Sequence, residues 1–265
     1  MQPDIEWFDD QVVDGVVERP FHTTRSGRCV PGVLWLPPSI SVPVPLVLVG
    51  HGGSGHKRGG RVVEHARWFV GHAGCAEVAI DGPYHGERVP VAMPAAQYQA
   101  RIAEVGIEVA LDRMVEDWRA AVDTVTACGQ TDLGRLAYLG MSMAARFGLA
   151  LAADMNDRMR AVVIGKFGLQ QCAAMNPAMA APDRVTADAG RITAPLLFHV
   201  QHDDEIFPRD GQRDLFDLIG SPIKRLVTEP GQHAHTTPAT IAGWRTFIAE
   251  RLADGTPEIQ AHHHG

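Results

Sequence analysis

The sequence predicts an α/β protein: a mostly parallel, doubly wound sheet flanked by helices, with an antiparallel N-terminal edge and no large inserted cap. Three observations predict it. Short β-branched runs recur along the chain, they are apolar almost throughout rather than alternating, and stretches of helical period separate them. Strands buried on both faces of a parallel sheet read in that unbroken way. Strand then helix, repeated about five times, implies right-handed crossovers onto one sheet.

The elements follow in order. The segment before Pro37, VVERPFHTTRSGRCVPGVLWL, predicts one or two antiparallel edge strands. The Pro-rich stretch 39–45 is a loop, too short to separate domains. PLVLVG (45–50) is the strongest strand signal, a β-branched run bounded by Pro and Gly. Further strands are predicted at 75–81, 135–140, 160–165 and 195–200, with a weaker one at 222–229. Helices are predicted over 59–73, 101–127, 143–155, 209–219 and 236–253. In the second of these, Ile102, Val105, Val109, Leu111, Met114, Trp118, Val122 and Val125 recur at helical steps. The stretch from 167 to 192 shows no clear strand and has room for a small lid. Residues 1–254 therefore form one domain. The tail 255–265, with His262, His263 and His264, reads as an appended or frayed terminus rather than a metal site.

Composition limits the chemistry. The chain has 265 residues, 45% of them hydrophobic and 21% charged, as expected of a globular protein with a sizeable core. A net charge of −7 gives no electrostatic reason to expect nucleic acid as a partner. The acidic start, MQPDIEWFDD, does not read as a secretory signal, and no apolar run approaches the roughly 20 residues that span a bilayer. Cys29, Cys75, Cys128 and Cys172 are scattered without a C-x-x-C pair, which argues against structural zinc and against a disulfide framework. No H-E-x-x-H or comparable ligand spacing occurs, so neither metal nor cofactor is expected. A cytoplasmic protein acting on a small molecule is the expectation; oligomeric state is not legible.

The chemistry concentrates in RLAYLGMSMAARFG (135–148), where a buried strand enters the tight turn Gly140-Met141-Ser142-Met143-Ala144 and then a helix. G-x-S-x-G in that frame is a nucleophile elbow. Small flanking residues let the backbone turn sharply, and the helix aims its positive end at the serine. A serine hydroxyl needs a base, and the base an orienting acid. The order serine, acid, histidine places them on later loops. QHDDEIFP follows the strand at 195–200 and offers Asp203 or Asp204; PGQHAH follows the strand at 222–229 and offers His233 or His235. His233 is preferred through its place in the turn at the strand end, while the residues alone leave Asp203 and Asp204 both open. The oxyanion of a tetrahedral intermediate needs two donors. The Met143 N–H is the expected first, and Gly53, in GHGGSGHK, the expected second. His51 reads as holding that loop in shape. Tyr84, His85 and Arg88, in DGPYHGER, fall near the mouth of the site and are candidate substrate-binding residues. Lys57, Arg88 and Lys166 also follow strand ends and read as solvated surface charges.

Together HGG, DGPYHGER, GMSMA, QHDDEIFP and PGQH, in this order over residues 30–250, resemble the α/β-hydrolase superfamily, and most closely its dienelactone-hydrolase-like and small-esterase branch. The resemblance implies cofactor-free acyl transfer through an acyl-serine, with Ser142 as nucleophile, Asp204 as acid and His233 as base. Two positions depart from the pattern: Ala144 replaces the usual glycine, and a serine stands where dienelactone hydrolases have cysteine. The expected reaction is hydrolysis of a small to medium ester, thioester or lactone, with segments 82–100 and 167–192 shaping the pocket. An amidase with the same triad and a non-catalytic binding protein are the alternatives; a carboxylate-nucleophile dehalogenase is excluded by Ser142.

Overall fold

The computed structural model describes residues 5–253; the expected tail, 255–265, lies outside them. Four antiparallel strands come first: β1 (Ile5–Trp7), β2 (Gln11–Val13), β3 (Val16–Arg25) and β4 (Arg28–Leu36). One or two were expected. The extra hairpins close on Asp14-Gly15 and Ser26-Gly27, all four residues at positive φ. These are two-residue turns whose twist matches that of the flanking strands, and the Asp-Gly pair is their sequence signal.

The parallel part follows: β5 (Val44–Val49), α1 (Gly60–Ala73), β6 (Ala76–Ile80), α2 (Ala95–Val105), α3 (Ile107–Thr126), β7 (Thr131–Met141), α4 (Met143–Asp154), β8 (Met159–Gly165), α5 (Pro182–Arg191), β9 (Leu196–Gln201), α6 (Arg209–Leu218), β10 (Lys224–Glu229) and α7 (Pro238–Ala253). All ten described strands share one sheet, in the order β1-β3-β4-β6-β5-β7-β8-β9-β10 with β2 beside β3. From β6 through β10 every pairing is parallel.

One expectation needs correction. The helix expected over 101–127 is two helices, α2 and α3, broken at Gly106, whose φ of 92° no helix accommodates. The apolar period runs on through the break, so periodicity alone reads one helix. The stretch 167–192 contains α5, which has few apolar residues and is braced instead by Arg184 and Arg191 on the buried Asp188.

The sheet is covered on both faces. Leu46, Leu48, Leu136, Tyr138, Val162 and Ile164 point into a core shared with α2 to α6. Val47, Val49, Ala137, Leu139, Ala161 and Val163 point into a second core under α1 and α7. Alternate residues of each strand thus find apolar partners on opposite sides, which is why the runs are unbroken. At about 1.5–3 kcal/mol for each fully buried large side chain, both layers contribute. The loops at the carboxyl ends of β5, β7, β8, β9 and β10 emerge at one edge, where open α/β sheets hold their ligands.

Candidate active site

Ser142 sits between β7 and α4 with φ 62° and ψ −120°. A non-glycine residue rarely adopts such a backbone, and the strain projects the side chain away from the turn. Its N–H donates to the Gly165 carbonyl at 2.9 Å, pinning the turn to the end of β8. Close packing explains the small residues around it. The Tyr138 hydroxyl, buried beneath the elbow, donates to the Ala144 carbonyl at 2.7 Å. The Ala144 methyl occupies the space left by the missing side chains of Gly50 and Gly140. The extra methyl at position 144 is therefore absorbed by glycines on both neighbouring strands.

The Ser142 hydroxyl lies 2.8 Å from His233 Nε2, and His233 Nδ1 lies 2.8 Å from Asp204 Oδ2. Asp204 Oδ1 accepts the N–H groups of Ile206 and Phe207, so the buried carboxylate is held by backbone donors. With Nδ1–H directed at that acceptor, the Nε2 lone pair faces the serine hydroxyl. The neighbours differ. Asp203 is exposed and takes the Gly231 N–H at 2.9 Å, holding the histidine loop from outside. The His235 ring packs against Gly231, and it is the His233 ring that hydrogen-bonds Ser142.

Two amides near Ser142 lack partners among the described residues: that of Met143, next to it in the chain, and that of Gly53, which lines the same cavity. Met143 is the first residue of α4, and the leading N–H groups of a helix have no intrahelical acceptor. The Gly53 N–H makes no hydrogen bond with the described residues. Its direction is set one residue earlier, where His51 Nδ1–H donates to the Gly52 carbonyl at 2.8 Å. His51 Nε2 accepts the Gly82 N–H at 2.8 Å, so the ring is neutral, and burial holds its pKa well below the usual histidine range. His85 Nε2 meets the Gly53 carbonyl at 3.0 Å.

A cavity of about 470 Å³ opens beside Ser142, lined by the 50–56 loop, Arg61, His65, Met141, Lys166, His233 and Trp244. Its position corrects several expectations. Tyr84 and Arg88 line a separate cavity of about 350 Å³ with Arg28, Met114 and Asp117. Arg88 is ion-paired to the buried Asp117 at 2.7 Å. Asp81 accepts the N–H groups of Lys57 and Glu87, which ties the loop after β6 to the loop after β5. Of those three candidates, His85 alone touches the Gly53 loop. The walls of the Ser142 cavity include no residue of 167–192 or 82–100, although the Tyr98 hydroxyl and the His85 ring of the second segment lie against Gly53. Lys57 and Lys166 are not surface charges: both are buried, Lys57 against Asp81 and Lys166 against the histidine loop.

Several supporting residues carry no sequence signal. Gln212, fully buried on α6, donates to Asp204 Oδ2 at 3.2 Å and to the Phe207 carbonyl at 2.6 Å. Glu205 accepts the His233 N–H at 2.8 Å. Among the described residues no cluster of His, Cys, Asp and Glu could hold a metal ion.

Residues 71–220 match the family model of the dienelactone hydrolase family. The chain is similar to a cold-adapted esterase from an Arctic intertidal metagenomic library, with 30% identity, 93% of this chain and 99% of that one covered, and a TM-score of 0.78. It shares its fold with acetyl xylan esterase 1 from Thermoanaerobacterium sp., at 18% identity, 95% and 89% coverage and a TM-score of 0.74. A putative dienelactone hydrolase from Klebsiella pneumoniae also shares the fold, at 19% identity, 91% and 100% coverage and a TM-score of 0.67. A search of curated proteins finds no significant match.

Proposed function

The chain belongs to the dienelactone hydrolase family and is a carboxylic ester hydrolase; from that premise we propose that Ser142, His233 and Asp204 are its catalytic triad. The observation that carries the reading is the hydrogen-bonded chain from Ser142 Oγ through both ring nitrogens of His233 to Asp204, with 2.8 Å at each contact. Ser142 Oγ attacks the ester carbonyl carbon while His233 Nε2 takes its proton. Asp204 keeps the ring in the productive tautomer and stabilises the imidazolium. The N–H groups of Met143 and Gly53 receive the oxyanion, a contribution typically worth about 10²–10³ in kcat per donor. The tetrahedral species collapses, His233 protonates the departing alcohol, and the acyl-serine remains. Water attacks the acyl carbon with His233 again as base, releasing the acid and restoring Ser142.

The cavity beside Ser142 falls within the roughly 300–1,000 Å³ usual for small-molecule sites, which supports a small to medium ester, thioester or lactone. Covalent labelling by a fluorophosphonate, lost in Ser142→Ala, tests the nucleophile; labelling that persists overturns it. Matched esters and anilides test the bond, and faster anilide cleavage overturns ester preference.

Two further readings belong to the proposal. The four cysteines are unpaired thiols, which supports a reducing compartment and hence the cytoplasm; fractionation of the native cell checks it. No helix among the described residues is long and apolar enough to cross a membrane. Residues 1–254 form one domain, a reading supported by the single sheet. Limited proteolysis yielding a stable sub-fragment would overturn that.

A further inference from the structure

We propose that Lys166 is a positioning residue for His233, and that the dipeptide Gly165-Lys166 sets the distance between nucleophile and base. The inference rests on the triad reading above. It begins at the end of β8, where the Gly165 carbonyl accepts the Ser142 N–H at 2.9 Å. The next residue reaches across to the other partner. Lys166 Nζ donates to the His233 carbonyl at 2.9 Å, to the His235 carbonyl, and to Thr236 Oγ1 at 2.6 Å. An ammonium has three N–H donors, and all three are used on the loop that carries the base. The elbow and the histidine loop are far apart in sequence, and adjacent residues of one strand end hold both.

The backbone is shaped for this task. Lys166 has φ 50°, a left-handed conformation that a lysine seldom adopts. Its own N–H is tied to the His199 carbonyl at 2.9 Å. A side chain at Gly165 would run into that same carbonyl, so the strands can close only over a glycine. Lys166 is 2% exposed, and a fully buried ammonium persists only where hydrogen bonds replace its water. The charged and titratable groups around it are Arg61 on α1, His199 on β9, Asp204 and Glu205 after β9, Glu229 on β10, and His233 and His235 on the loop itself. Burial first, then Arg61, pushes the Lys166 pKa down to about 8. Loss of the proton removes a donor from the loop.

The test measures kcat, KM and fluorophosphonate labelling rate for Lys166→Met and Lys166→Arg. A base displaced by about 1 Å loses on the order of 10²-fold in rate. Lys166→Met is expected to lose about that factor in kcat with KM changed less than about threefold; a kcat within threefold of wild type overturns the proposal. Should Lys166→Met not fold, the pH profiles decide. Wild-type kcat should fall as pH rises through about 8, whereas Lys166→Arg, charged at every working pH, should be less active at neutrality and lack that limb. A limb shared by both overturns the proposal. Ser142→Ala separates the two readings: labelling lost there but unaltered in Lys166→Met removes the positioning role and leaves the triad.

Discussion

A Cβ placed on Gly140 would lie 2.8 Å from the methyl of Ala144 and 2.7 Å from the hydroxyl of Tyr138. Position 144 can therefore carry alanine because position 140 carries none. Gly140→Ala is expected to cost about 1–3 kcal/mol through overpacking, read as a lowered thermal midpoint. Ala144→Gly should cost about 1 kcal/mol, the helix-propensity difference. The double variant should recover part of the loss, and strict additivity would show that the two sites do not share space.

The two aspartates after β9 should separate sharply. Asp204 contacts the His233 ring, whereas Asp203 contacts the backbone of the histidine loop at Gly231 and the neighbouring His202. Asp204→Asn is expected to lower kcat by about 10⁴, since an amide favours the wrong tautomer. Asp203→Asn should cost less than about tenfold, the worth of one exposed hydrogen bond. Equal losses on a p-nitrophenyl ester would leave the assignment of the acid overturned.

The histidines separate in the same assay. His233→Ala should abolish turnover and fluorophosphonate labelling together, and His235→Ala should preserve both, because only the His235 carbonyl reaches Lys166. A dead His235→Ala with an active His233→Ala reverses the base.

Gln212 tests the support of the acid. Gln212→Leu leaves the Gln201 N–H and the Phe207 carbonyl without their side-chain partner and takes one donor from Asp204. A loss of about 1–3 kcal/mol in stability is expected for such buried groups, with kcat reduced more than KM. Chemical denaturation and steady-state kinetics on one preparation check both.

Buried histidines predict acid sensitivity. Burial lowers the pKa of His65 from 6.5 to about 3 and that of His51 in the same direction. The folded state then resists a proton that the unfolded chain accepts below pH 6.5. Stability is full above that value and falls as pH drops toward about 3, where the folded His65 also protonates. Urea midpoints at pH 5 should be lower than at pH 7. His65→Gln, which retains a polar partner for Arg245, should flatten that slope; an unchanged slope assigns the sensitivity elsewhere.

Much of this was legible in the chain. The runs at 45–50, 135–140 and 195–200 became central strands because an apolar period is a local property that no tertiary contact needs to supply. Ser142, Asp204 and His233 were legible for a related reason: each follows a strand, and parallel strands deliver their ends to one edge. Gly106 and Asp14-Gly15 were visible signals too: the first was overridden by a continuous helical period, and the second, set between Val12-Val13 and Val16-Val17, marks a hairpin that an expectation of one or two strands left out.

The sequence by itself determined the order of elements and the three residue types that meet at the edge. Only the tertiary structure decided which aspartate faces the histidine, that Tyr84 and Arg88 turn to another cavity, that Ala144 fits over two glycines, and that Lys166 is buried on the histidine loop. Those outcomes depend on register between strands and loops distant in sequence, where a shift of one residue reverses the direction of a side chain. Local periodicity carries no information about that register.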